Sequence, residues 1–330
     1  MISKIILYNP AIGTMNDGDL IIFDSIEKQV VNFFPNTKIY ELPTQMPVSK
    51  RVLKWYEDID IRFLCGTNLL KNHMLFEWGR FRPHFKGIRQ WDMDIRNKKL
   101  YGPVVLLGCG WQKYQKGKDR YSEKLWNLVL DSQYMHSVRD SYTKEKLAEL
   151  GIRNVINTGC PTLWNLTKEH CKNIPVEKAS TVVTTVTDYH KSIEDDQKMI
   201  DTLCANYEKV YIWLQGYKDG DYIKQLRLHD KIEVISGGLA AYDSLLSTDD
   251  IEFVGTRLHG GIRALQHRKR ATFVAVDNRT IEMGNNVKLN YLKRKDIKHL
   301  DDYLNEKHRT EIILPEENIR KFKEQFGVSI

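Results

Sequence analysis

Strand and helix signals alternate along this chain from one end to the other, in two consecutive series. Short runs of β-branched and aromatic residues separated by amphipathic stretches favour α/β layers with mainly parallel sheets. In the first series the patterning predicts strands over 5–8, 38–40, 61–64, 104–107, 136–138 and 155–157, with helical spacing over 20–33, 122–131 and 143–150. In the second it predicts strands over 180–185, 209–214, 232–235, 251–255 and 272–276, with helices over 195–206, 221–228, 239–247 and 316–325. The stretch 164–178 contains Pro175 and little periodicity, so it reads as the linker. Two doubly wound lobes are therefore expected, 1–172 and 173–330, with the final helix packing back on the first lobe. A chain of 330 residues also exceeds what one core usually supports. In such sheets ligands bind beyond the carboxyl ends of the strands, so both lobes are expected to line one shared cleft.

Composition removes several classes of function. No apolar run reaches the roughly 18–20 residues of a spanning helix. The first residues, Met1 to Tyr8, enter a strand pattern directly and lack the apolar region and cleavage site of a signal peptide, so a cytoplasmic location is expected. Cys65, Cys109, Cys160, Cys171 and Cys204 are odd in number and contain no C-x-x-C pair, which argues against a disulfide framework and a zinc site. The net charge of +7 is spread along the chain, densest at His267-Arg268-Lys269-Arg270 and at Lys293-Arg294-Lys295. Neither cluster has the aromatic interleaving of a nucleic-acid groove. A basic rim beside an anionic substrate, a peripheral contact with an anionic membrane surface and a plain solvated face all fit this charge.

The densest chemistry lies at 251–265, where the strand Ile251-Glu252-Phe253-Val254 breaks at Gly255-Thr256-Arg257-Leu258-His259 and reopens as a helix through Gly260-Gly261. That junction places an arginine, a histidine and free backbone N–H groups at a helix N-terminus, where an anion is favoured. Alternatively, Arg257 pairs with a carboxylate and His259 only caps the helix. Other strand ends also carry polar residues: Asn16, Asp17 and Asp19 suit either a polyol or helix capping, and Arg139 suits either a ligand clamp or a pair with Asp140. The aromatic and basic stretch 76–91, with Trp78 and Arg80, is neither clear helix nor clear strand; as a stretch it is expected to line an acceptor site, while each aromatic taken singly reads as core packing.

Taken in order, Asn16-Asp17-Gly18-Asp19, Val138-Arg139-Asp140-Ser141, Gly255-Thr256-Arg257-Leu258-His259 and Asp277-Asn278-Arg279 resemble the polysaccharide pyruvyltransferase family. The resemblance implies a GT-B-like arrangement of two Rossmann-like lobes. It implies transfer of the pyruvyl group of phosphoenolpyruvate onto two hydroxyls of a nucleotide- or lipid-linked sugar, forming a ketal in cell-surface polysaccharide biosynthesis without metal or cofactor. Arg139, Arg257 and His259 would be catalytic at the donor site, with Thr256, Leu258, Gly260, Gly261 and Arg279 binding the donor. Asn16, Asp17, Asp19, Trp78 and Arg80 would face the acceptor. Two positions depart from the family pattern: Gly255 stands where serine is frequent, and Arg279 stands where lysine is, replacing a point charge by a planar fork. A glycosyltransferase with a nucleotide-sugar donor and a non-catalytic glycan-binding protein are the competing readings.

Overall fold

The computed structural model describes residues 2–74, 90, 91, 93, 95 and 98–328, so Trp78 and Arg80 lie outside the described residues. Contacts divide the chain into two units, one of residues 1–14, 22–161 and 315–330, the other of 15–21 and 162–314. The boundary after Pro161 falls ahead of the expected one at 172/173. The stretch read as a linker contains a helix, Lys168–Lys172, capped by Thr167. Trp164, Leu166, Cys171 and Ile174 of that stretch are buried, so it contributes to a core despite its lack of periodicity.

The first unit is built on parallel strands β1 (Lys4–Asn9), β2 (Lys38–Pro43), β3 (Ile61–Cys65) and β4 (Val105–Leu107), in the order β2-β1-β3-β4. Parallel β5 (His136–Val138) and β6 (Val155–Asn157) pair with each other, and a bridge from Cys109 to Val138 brings β5 beside the end of β4. Ile5, Ile6, Leu7 and Tyr8 are all buried, as expected of a central strand covered on both faces. The closing helix, Glu316–Glu324, belongs to this unit: Gln325 accepts the Met135 N–H at 2.6 Å, and Asn318 donates to the Asn157 carbonyl at 2.8 Å.

The second unit carries a six-stranded parallel sheet of β7 (Thr181–Thr184), β8 (Lys209–Trp213), β9 (Ile232–Ile235), β10 (Ile251–Gly255), β11 (Ala271–Ala275) and β12 (Tyr291–Lys293). Its order, β9-β8-β7-β10-β11-β12, is the Rossmann order 3-2-1-4-5-6. Both units are thus Rossmann-like lobes. The order reverses between β7 and β10, and there the crossovers leave to opposite faces and open a crevice at the strand ends. β10 is buried throughout; Phe253 and Val254 alone remove enough apolar surface to contribute roughly 1.5–3 kcal/mol each. Strand β12 and the Asn278–Val287 helix were not anticipated: β12 is short and only half-buried, so it shows little of the apolar run that marks an inner strand.

Candidate functional site at the strand crossover of the second unit

At the crossover the chain leaves β10 through Thr256 and Arg257 and enters the Leu258–Gln266 helix, whose N-terminus has no side-chain cap. The first-turn amides of such a helix and its dipole together favour a negative ligand. Gly255 has a physical explanation. A Cβ there would lie 2.6 Å from Thr185 Oγ1 and 2.7 Å from Thr185 N, so β7 and β10 approach too closely for serine. The hydroxyl comes from the neighbouring strand: Thr185 Oγ1 accepts the Arg257 N–H at 3.1 Å, and the Thr185 carbonyl accepts from Thr256 N and Oγ1, both at 3.1 Å. Thr256 Oγ1 also pairs with Thr187 Oγ1 at 2.8 Å.

Arg257 is only 2 % exposed. Its Nε donates to the Val186 carbonyl at 3.0 Å, and one terminal nitrogen serves both Asp188, at 2.9 Å, and Asp219. It therefore pairs with carboxylates, one of the two possibilities left open by the sequence, but the pairs are buried ones. Burial raises the Asp219 carboxyl and Arg257 opposes it. The Tyr189 ring lies 4.8 Å from the Arg257 guanidinium carbon and 5.5 Å from that of Arg279, and its hydroxyl accepts from Arg279. Arg279 is further held by Asp277, whose carboxyl burial would raise but which the arginine keeps below the usual range. The planar fork at position 279 thus serves a carboxylate and a phenol at once, which a lysine point charge would not reproduce.

The Asn16-Asp17-Gly18-Asp19 loop belongs to this second unit. Gln215 Nε2 donates to Asn16 Oδ1 at 2.8 Å, and the Asp17 N–H donates to the Gln215 carbonyl at 2.9 Å. Burial, and then the neighbouring Asp219, push the Asp17 carboxyl up to about 6. Gln215 Oε1 is buried without a hydrogen-bond partner, 3.0 Å from where a Cβ on Gly260 would sit. A glycine at 260 therefore admits the amide against the helix. Asp19, His259 and Leu258 are buried.

One expected role changes. Gly261 is not a free backbone donor, because its N–H closes the first helical turn on the Arg257 carbonyl at 3.2 Å. A Cβ at 261 would meet Phe273 at 2.3 Å, so this glycine seats the helix on the sheet. Trp91 and Trp111 are core: Trp91 stacks on Trp126, and Trp111 Nε1 donates to Gln115 at 2.8 Å. In the first unit, Arg139 is buried at the end of β5, with Nε on Asp140 at 3.2 Å and a terminal nitrogen on Asn68. Glycine at 110 leaves room for that guanidinium, since a Cβ would come within 2.2 Å of Nε.

Asp188, Tyr189, Gln215 and Asp219 were missed in the sequence. The signal that would have found Asp188 and Tyr189 is their place after the β-branched strand β7, the first strand of its lobe, whose end faces the crossover.

No curated protein matches the chain. Among solved structures it is similar to UDP-GlcNAc 2-epimerase from Methanocaldococcus jannaschii, at 15 % identity, with 95 % of each chain covered and a TM-score of 0.48. It is also similar to UDP-GlcNAc 2-epimerase from Neisseria meningitidis, at 11 % identity over 99 % of this chain and 94 % of that one, TM-score 0.45. A third likeness is to a lipopolysaccharide outer core galactosyltransferase, at 10 % identity over 99 % and 95 %, TM-score 0.47. The profile described as polysaccharide pyruvyl transferase matches residues 16–278, from the Asn16 loop through Arg257 and His259 to Asn278. Spanning most of the sequence and the crossover site as far as Asn278, that match shows that the chain belongs to the polysaccharide pyruvyl transferase family.

Proposed function

We propose that the protein transfers the pyruvyl group of phosphoenolpyruvate to two hydroxyls of a sugar, forming a ketal and releasing phosphate. Family membership supports a transferase of polysaccharide biosynthesis. The observation that carries the finer reading is the uncapped N-terminus of the Leu258–Gln266 helix at the β7/β10 crossover, with His259 in its first turn. Phosphoenolpyruvate offers a phosphate and a carboxylate, and helix amides beside guanidinium groups match both.

In this reading His259 protonates the enol methylene carbon, as a histidine can near neutral pH. One sugar hydroxyl attacks the resulting cationic carbon, the C–O bond to phosphate breaks, and the second hydroxyl closes the ketal. Of the two hydroxyl protons, one restores His259 and the other leaves with phosphate. Asp17 is better matched than Asp19 to relay the first of them to His259, since burial raises its carboxyl to about 6, while Asp19 is buried more deeply. Arg257 and Arg279 hold the donor side, with Tyr189 between them. Arg139 of the first unit remains a proposed donor residue, and the unpaired Gln215 Oε1 suits a substrate hydroxyl.

Incubation with phosphoenolpyruvate and a panel of nucleotide- and lipid-linked sugars should release phosphate and give a sugar whose mass has grown by one pyruvyl ketal. His259→Gln should still bind phosphoenolpyruvate and lose about 10²–10⁴-fold in rate. Release of a nucleotide with no phosphoenolpyruvate consumed would establish a glycosyltransferase instead, and binding without any product a glycan- or anion-binding protein.

A further inference from the structure

The first unit carries a helical layer whose outward side is basic and aromatic. The Lys50–Lys54 helix packs on the Lys98–Tyr101 helix, which packs in turn on Arg120–Val129. At one end Leu53 is buried in the core, with Val52 and Tyr56 packed partly against it, while Lys50, Arg51, Lys54 and Trp55 point outward. Trp55 is 64 % exposed, with the Arg51 guanidinium 5.9 Å from its ring centroid, and Met46, four residues before this helix, is exposed as well.

At the other end a fixed loop presents Lys113, Tyr114, Lys116 and Arg120, with Tyr114 56 % exposed. Its backbone is anchored by Gln115, which accepts from Trp111 Nε1 and Asn72 N, and by Asn72 Nδ2 on the Gly117 carbonyl at 2.7 Å. Asp58 pairs with Lys4 and Glu123 with Lys118 at 2.6 Å, while Asp119, which caps its helix by accepting the Ser122 N–H at 2.9 Å, and the exposed Glu57 keep their charge. Against those two acids stand Lys50, Arg51, Lys54, Lys113, Lys116 and Arg120, so the net charge of this layer is positive among the described residues.

We infer that this layer docks the protein on an anionic lipid bilayer. Basic side chains near an anionic leaflet add attraction that salt screens, and tryptophan and tyrosine place amphipathic rings at headgroup depth. A soluble polyanion would satisfy the lysines and leave Trp55 and Met46 in water. The bilayer accommodates both, and for that reason it is the partner chosen. The inference needs neither phosphoenolpyruvate nor a particular acceptor.

The test is co-sedimentation of the full chain with phosphatidylcholine vesicles and with vesicles in which about a quarter of the lipid is phosphatidylglycerol. Binding should be at least about tenfold stronger to the anionic vesicles and fall steeply as salt is raised. The triple variant Lys50→Glu, Arg51→Glu, Lys54→Glu should lose about tenfold or more, and Trp55→Ala should weaken binding while leaving its salt dependence intact. All these side chains are exposed, so thermal melts should match the wild type. Arg268→Glu, in the other dense basic stretch, should bind as the wild type does. Equal binding to both vesicle types, equal losses from Arg268→Glu, or retention on heparin without vesicle binding would each overturn the inference.

Discussion

Gln215 Nε2 donates to Asn16 Oδ1 at 2.8 Å, tying together residues 199 positions apart in the chain. The bond joins the loop before the first helix to the end of β8, and Asn16 and Gly216 also form an isolated antiparallel bridge. The loop then stands beside the Arg257 network through Asp17 and Asp219.

Asn16→Ala and Gln215→Ala should each destabilise the protein by about 1 kcal/mol, the net worth of a partly buried hydrogen bond, and the double variant should lose little more than either. Denaturant unfolding of the four proteins measures the coupling. Fully additive losses would show that the bond does not hold the loop. Gln215→Ala should also weaken the acceptor side more than phosphoenolpyruvate binding, since Oε1 is the unpaired atom.

Arg257→Ala leaves Asp219 buried without its cation and should cost about 3–5 kcal/mol. Adding Asp219→Asn should recover part of that stability, because the stranded charge is gone, and recover none of the donor binding. Thermal melts and calorimetric titration with phosphoenolpyruvate separate the two effects. If the double variant melts no higher than the single, the pair is not the source of the loss.

Gly255→Ser should destabilise by about 1–3 kcal/mol, since the new Cβ meets the Thr185 backbone nitrogen as well as its hydroxyl. Thr185→Ala alone does not relieve the backbone clash, so it should not rescue the serine variant. A serine variant as stable and active as the wild type would contradict the close approach of β7 and β10.

Two buried groups give opposite pH dependences. The Asp17 carboxyl is raised from 3.8 to about 6, so the folded state holds its proton more tightly than the unfolded chain does. Its contribution to stability grows as pH falls through 6 and is unfavourable at neutral pH. Asp17→Asn should therefore raise stability at pH 7.5, by on the order of 1 kcal/mol after screening of a half-buried group, and leave it unchanged near pH 4. Burial lowers His136 from 6.5 to about 4; it stays neutral and accepts the Leu106 N–H at Nδ1. Its contribution is complete above pH 6.5 and is lost as pH falls toward 4, by up to about 3 kcal/mol. Melting temperature against pH for wild type and Asp17→Asn checks both, and the variant should lose more stability on acidification. Parallel curves would refute the Asp17 assignment.

By itself the sequence determined most of the strands and the longer helices of both lobes and the glycine break at 255, because 2.0- and 3.6-residue periodicities and turn residues are local properties of the chain. Its ordered motifs also carried the family. Tertiary structure decided what Arg257 touches. Asp188, Asp219 and Thr185 lie 38 to 72 residues away and reach it because β10, β7 and β8 lie side by side in the sheet. Strand order is set by packing across the whole sheet, and no window of sequence records it. The same cause took Asn16 and Asp17 out of a first-lobe loop and placed them with Gln215. Gly255 reads as a missing hydroxyl along the chain; across the sheet it is the space that Thr185 occupies.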